Sequence, residues 1–170
     1  PETLGYLQAG KIDFGIVSTP FQAGKHIRVR PVKEIEDIFV AGKNFESLKG
    51  KELDYQILEE LPIMCLEGNT STRTYVEQFL ASKQVTIRPE FELATSDMLI
   101  QFAVRNLGIA SVVRNFAEEH LTEGDLFELR FLEEIPARTF CIVANERIPL
   151  SAAAATLMNV LVQGTSCLLY

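Results

Sequence analysis

The sequence contains no tryptophan, only two histidines and only three cysteines in 170 residues. The cysteines, Cys65, Cys141 and Cys167, are widely spaced, and no CxxC, HExxH or Cys/His cluster accompanies them. Neither a zinc site nor a disulfide framework is expected, and all three read as free thiols in a reducing compartment. No apolar run approaches the roughly 18 residues a membrane helix needs. The first residues, Pro1-Glu2-Thr3-Leu4-Gly5, lack both the basic and the apolar region of a signal peptide. Positive charge is also scarce, with 16 Lys and Arg against 23 Asp and Glu for a net charge of −7. Such a surface repels phosphate backbones, so these residues are not expected to touch DNA. Catalytic machinery is missing too: there is no nucleophile motif and no Gly-rich phosphate loop. The adjacent pairs Glu59-Glu60, Glu118-Glu119 and Glu133-Glu134 point apart on a helix or strand, which does not suit acid–base chemistry. No catalytic residue, metal or cofactor is expected.

What the chain does have is hydrophobic content, 47% of residues, in a regular order of strand and helix patterns. Thr3 to Ala9 looks like the end of a helix stopped by Gly10, and a short buried strand covers Ile12 to Val17. A strand so placed wants neighbours on both sides, so flanking strands are expected to precede residue 1. His26 to Val32 and Glu34 to Ala41 read as extended, the latter apolar on both faces around Ile38-Phe39-Val40-Ala41. A connector with a helical turn near Phe45 to Leu48 leads to the strand Ile63-Met64-Cys65-Leu66. A helix from about Thr72 to Ser82 follows, with Tyr75/Phe79 and Val76/Leu80 paired at i,i+4. The strand Glu90 to Leu93 precedes a helix capped by Thr95 and Ser96, whose apolar face is Met98, Leu99, Phe102 and Ala103. Beyond Gly108 come a strand at Ile109 to Val113, a helix at Asn115 to His120, a strand at Leu126 to Phe131 and the apolar run Phe140 to Ala144. A closing helix capped by Ser151 shows Ala154, Leu157 and Leu161 on one stripe. This alternation predicts an α/β fold with a doubly wound parallel sheet.

Five segments in this order resemble the effector-binding domains of LysR-type transcriptional regulators. Leu7-Gln8-Ala9-Gly10-Lys11-Ile12-Asp13-Phe14-Gly15-Ile16 resembles the family's L-x-x-G-x-L-D-h-h-I segment, h being apolar. Leu61 to Arg73 resembles its L-P-h strand and the Ser-x-x-Arg helix start. Ser96 through Ala110 resembles its S-x-x-h-h-x-h-V-x-x-G-x-G-h-A block, and Gly124-Asp125-Leu126 and Leu150-Ser151-Ala152-Ala153 complete the series. Asn106 departs from the pattern, where a small residue is commoner, and so does Val112-Val113 in place of L-P. The resemblance implies two Rossmann-like lobes joined by two crossover strands, as in type 2 periplasmic binding proteins, with the first lobe incomplete. The lobes would be residues 1–40 with 141–170, and residues 45–138. Ile38 to Ala41 and Thr139 to Val143 are the candidate crossovers. It also implies a cytoplasmic sensor of a small molecule, a homodimer or homotetramer in the full-length protein, and DNA contact only through an N-terminal winged helix-turn-helix absent from these residues. A stand-alone solute-binding protein would use the same architecture.

A cleft between such lobes faces strand ends and helix N-termini, where unpaired N–H groups favour a carboxylate or phosphate. Three hydroxyl-bearing junctions qualify: Ser18-Thr19, Asn69-Thr70-Ser71 and Thr95-Ser96. Each of these residues is expected to contact an anionic effector, although Ser, Thr and Asn also precede helices as ordinary caps worth about 1 kcal/mol. Arg73, Arg105 and Arg114 read as surface or inter-lobe cations, and His26 and His120 as surface residues.

Overall fold

A computed structural model of the chain describes residues 2–68 and 70–164. They form two compact units, residues 2–35 with 138–164 and residues 36–137. The chain passes from the first unit to the second between Ile35 and Glu36, and returns between Ala137 and Arg138.

The first unit is built on three strands, β1 (Phe14–Ser18), β2 (Ile27–Ile35) and β10 (Arg138–Asn145), in the order β1-β10-β2. Both pairings are antiparallel, so the parallel sheet predicted from alternation is not found here. Apolar runs carry no information on strand direction, and β10 follows the second unit in the chain. Helix α1 (Glu2–Gln8) contributes the fully buried Leu7. Helix α5 (Ala152–Gly164) begins as expected, with the Ser151 hydroxyl accepting the Ala154 N–H at 3.2 Å. Its stripe is only partly used: Ala154 is buried, whereas Leu157 is 50% exposed. The described three-stranded sheet has little area to cover a helix of this length.

The second unit carries a five-stranded sheet in the order β6-β5-β7-β3-β8. Its strands are β3 (Asp37–Gly42), β5 (Ile63–Leu66), β6 (Phe91–Leu93), β7 (Ile109–Val113) and β8 (Leu126–Glu128). The predicted parallel core is present as β6-β5-β7, while β3 runs antiparallel to both β7 and β8. All six residues of β3 are buried, as its two-sided apolar character required. The expected Leu126–Phe131 strand is split, and its second part, β9 (Arg130–Phe131), pairs instead with β4 (Glu52–Leu53).

Alternation along these strands feeds two cores, one on each face. Phe39, Ala41, Ile63, Cys65 and Ile109 meet Val76 and Leu80 of α2 (Ser71–Ser82) on one face. Ile38, Val40, Met64, Ala110 and Val112 meet Leu99, Ile100 and Ala103 of α3 (Ser96–Val104) and Ala117 of α4 (Arg114–Glu123) on the other. Cys65 and Cys141 are buried free thiols, and Cys167 lies outside the described residues.

Two backbone details explain motif residues. Asn106 holds a left-handed φ of 62°, which Asn tolerates better than most residues. Its side-chain carbonyl accepts the Asn44 N–H at 2.7 Å, tying the end of α3 to the start of the connector. Gly108 leaves no room for a side chain, because a Cβ there would stand 2.6 Å from the Pro62 carbonyl oxygen, the acceptor of the Ile109 N–H. Gly108→Ala is therefore expected to destabilise the fold by about 2 kcal/mol through forced backbone displacement. Urea denaturation followed by circular dichroism measures this; an unchanged midpoint would contradict the packing described.

Candidate functional site

The sheet of the second unit places chemically distinct residues along one edge. Parallel β5, β6 and β7 all end there, and each is followed by a helix. Antiparallel β3 begins at the same edge, opposite the end of β7, since Asp37 pairs with Val113. The last residue of β8, Glu128, pairs Val40 and also points its chain toward that edge. The edge therefore collects strand ends from five separate stretches of sequence.

Thr70 and Thr95 occupy equivalent corners on neighbouring strands, since β5 and β6 are in register with Leu66 opposite Leu93. Thr70 is the N-cap of α2, its hydroxyl accepting the Arg73 N–H at 3.3 Å. Thr95 is the N-cap of α3 and accepts the Met98 N–H at 3.3 Å. The capping role weighed from sequence is thus real at both positions. A hydroxyl that accepts one hydrogen bond still has its own O–H to donate, so capping and ligand contact are chemically compatible. Ser71 and Ser96 open the two helices, Ser71 exposed and Ser96 half-buried. Backbone N–H groups of both first turns, with the positive ends of two helix dipoles, make this corner favourable to an anion. Asn69 lies outside the described residues.

In the first unit, Ser18 ends β1 and Thr19 follows it. Ser18 is buried and its hydroxyl accepts a hydrogen bond from Arg138 Nη1 at 2.9 Å. Thr19 accepts the Thr139 N–H through its side chain at 2.9 Å and donates its own N–H to the Thr139 carbonyl. Both residues thus fasten the end of β1 to the start of β10.

Arginines act as staples within the second unit. Arg73, with a side chain 11% exposed, bonds Glu77 at 2.8 Å, Glu92 at 2.9 Å and the Leu66 carbonyl at 3.0 Å. It joins α2, β6 and the end of β5. Burial opposes its charge, but hydrogen bonds and the charges of the two glutamates outweigh this and raise its pKa further. Arg114, directly after β7, is held in the same way by Glu36 and by Glu128, the latter at 2.8 Å. Burial again opposes, and the two carboxylates prevail.

A cavity of about 380 Å³ lies beside this second staple, lined by Glu36, Asp37, Tyr55, Arg114, Glu128 and Phe131 among others. None of the hydroxyl residues singled out from sequence lines it. Tyr55 stacks on Phe131 with ring centroids 4.1 Å apart and donates its O–H to the Glu133 carbonyl at 2.8 Å. Glu36, Arg114 and Glu128 meet across separations of 78 and 14 residues, and no local pattern signals that meeting. The only sequence hint was a cation placed immediately after a buried strand.

Among the described residues, one group has metal-ligand composition: His120, Glu123 and Asp125 at the end of α4, with ligand atoms within 4.8 Å of one another. The His120 Nδ1–Asp125 Oδ2 distance of 3.3 Å is that of an ordinary pair at a helix C-terminus. No helix among the described residues is long and apolar enough to cross a membrane.

Comparison with known proteins gives this geometry a context. The family model described as "LysR substrate binding domain" matches residues 1–166. No curated protein sequence matches the chain. Among solved structures, the chain is similar to the regulatory domain of CcmR from Synechocystis PCC6803 in complex with 2-PG. That similarity has a TM-score of 0.79 at 20% identity, covering 95% of this chain and 77% of that one. It is also similar to the effector-binding domain of QuiR in complex with shikimate, with a TM-score of 0.76, 13% identity, and 98% and 78% coverage. A third is the regulatory domain of CrgA, a LysR-type transcriptional regulator from Neisseria meningitidis, with a TM-score of 0.70, 16% identity, and 94% and 78% coverage. At these identities the structures bear on the fold.

Two outcomes test the site's local chemistry. Thr70→Val and Thr95→Val each remove a cap and are expected to cost about 1 kcal/mol in thermal or urea unfolding; no loss in either would mean the caps are not formed. Burial pushes the Cys65 thiol up to about 12, with Arg73 lowering it and Glu77 and Glu92 raising it again. Cys65 should therefore resist iodoacetamide at pH 8 in the native protein and react once urea unfolds it. Peptide mass spectrometry reads the site, and rapid native labelling of Cys65 would contradict its burial.

Proposed function

The chain belongs to the LysR substrate-binding domain family, ligand-sensing regulatory domains of transcription factors, and on that premise we propose that its effector is a small carboxylate-bearing metabolite. The observation that carries this reading is the pairing of two capped helix N-termini, at Thr70 and Thr95, on adjacent parallel strands. In this reading the O–H groups of Thr70 and Thr95, with Ser71, Ser96 and Asn69, grip the carboxylate together with first-turn N–H groups. Ser18 and Thr19, at the end of β1 in the first unit, are proposed as effector contacts in their own right. Arg73 is not its counter-ion, because Glu77 and Glu92 already neutralise it.

The domain acts as a switch rather than as an enzyme. A micromolar effector contributes about 8 kcal/mol of binding free energy. Shifting a two-state equilibrium from 1:99 to 99:1 takes about 5.5 kcal/mol of differential binding. The scale is feasible, but it requires the effector to prefer one conformation by roughly 10⁴-fold. The regulator reads DNA through a winged helix-turn-helix outside these residues, works as a homodimer or homotetramer, and is cytoplasmic. The family match favours this reading over a stand-alone solute-binding protein.

Thermal-shift screening of amino acids, aromatic acids and dicarboxylates tests the proposal, since a ligand of the native state raises stability by RT ln(1 + [L]/Kd). At least one carboxylate should raise the midpoint in a concentration-dependent way. Thr70→Val and Thr95→Val should then weaken that ligand roughly tenfold by calorimetry, as expected for a lost hydrogen bond to a charged group. Unchanged affinity in both variants would refute the hydroxyl assignment.

A further inference from the structure

A smaller pocket of about 220 Å³ lies wholly within the first unit, between β2, β10 and α5. Strand register explains its two-part chemistry. Arg30 stands opposite Ile142 and Ile142 opposite Ile16, while Arg28 stands opposite Ala144 and Ala144 opposite Phe14. Directly opposed residues share a face, so the same side of the sheet carries two arginines at its β2 edge and an apolar floor beside them. Leu150 and Met158 line the pocket from the α5 side. Ala144 offers only a methyl group to fill the space between, and the gap remains. The two arginines differ in what they have left to give. Arg28 is held by Glu146 at 3.3 Å, and that carboxylate answers its charge. Arg30 is exposed, and its guanidinium makes no hydrogen bond or ion pair among the described residues.

We infer that this pocket is a second ligand site, separate from the hydroxyl corners, and that it takes a short-chain apolar monocarboxylate. An unanswered guanidinium beside an apolar floor matches a ligand with one anionic head and one hydrocarbon tail. The Arg30 fork takes the carboxylate through paired N–H donors, and the tail covers Ile142 and Ala144 against Met158. Size limits the tail: the pocket is smaller than the roughly 300–1,000 Å³ of drug-sized sites and suits a chain of about six carbons. A dicarboxylate would press its second charge against apolar walls, so the site disfavours it. The hydroxyl corners offer no comparable cation, since Arg73 is already neutralised by Glu77 and Glu92.

Calorimetry and thermal shift on the whole chain with hexanoate, 1-hexanol, acetate and adipate test the site. Hexanoate should raise the thermal midpoint in a concentration-dependent way. The alcohol lacks the charge, acetate lacks the tail and adipate carries a second charge, so each should bind at least about fivefold more weakly. Arg30 is exposed, so Arg30→Gln should leave the urea midpoint unchanged while weakening hexanoate roughly fivefold. Ala144→Leu, from a half-buried position, fills the gap and should weaken hexanoate at least about tenfold, with folding checked by circular dichroism. Lys51→Gln, at an exposed position of the second unit, controls for general attraction and should change nothing. The inference is overturned by no response to hexanoate, by an equal response to 1-hexanol or acetate, or by equal losses in Arg30→Gln and Lys51→Gln. Thr70→Val and Thr95→Val should leave hexanoate binding unchanged. Hexanoate binding lost in those two variants and kept in Arg30→Gln would overturn this site while sustaining the hydroxyl corners. Hexanoate binding that needs Arg30, with no carboxylate sensitive to Thr70 or Thr95, would sustain this site and refute the hydroxyl assignment.

Discussion

A strand buried on both faces must find hydrogen-bond partners on both edges, and β3 imposes that constraint on the second unit. All six of its residues are buried; its first four, Asp37 to Val40, pair with β7, and its last three, Val40 to Gly42, pair with β8. Because it runs against its neighbours, its first residues come to the edge where the parallel strands end. That single reversal brings Glu36 and Asp37 up against Val113 and Arg114, from a stretch of sequence far from either. It also divides the apolar side chains into two cores, Phe39 and Ala41 facing α2, and Ile38 and Val40 facing α3 and α4. The site and the packing have a common origin.

The edge so built is stabilised by arginines that are spent internally. Arg73 and Arg114 are each shared between two glutamates, and Arg73 also satisfies the carbonyl that ends β5. Such partly buried, multiply bonded guanidiniums fix geometry more than they attract ligands. What remains for an anion at the β5–β6 end is neutral: hydroxyls, backbone N–H groups and helix dipoles. Neutral donors of this kind suit a carboxylate or a phosphate without carrying a full positive charge.

Local signals in the sequence were read correctly where the chemistry itself is local. Thr70 and Thr95 stand before amphipathic helices and do cap them, and Ser151 does the same for α5. The two-sided apolar character of residues 38–41 marked a central strand, and the structure places β3 inside the sheet. Direction was not legible, since an apolar run looks alike whether parallel or antiparallel, and the first unit's sheet is antiparallel throughout. The cavity was not legible either, because its ion pairs join residues far apart in the chain. Asn106 stood out as a departure from a family pattern, and only its positive φ and its bond to Asn44 give that departure a physical reason.

Strand spacing turns these features into a map of the edge. Neighbouring strands lie about 4.8 Å apart, so β6 and β8, the outer strands of five, are separated by roughly 19 Å. Thr95 stands at the β6 end, and Glu128, Arg114 and the cavity at the β7-β3-β8 end. Capped helix N-termini stand at one end of the edge and the Arg114 ion pairs at the other. β5, β7 and β3 stand between the two ends, so one continuous hydrogen-bonded sheet joins the helix caps to the ion pairs.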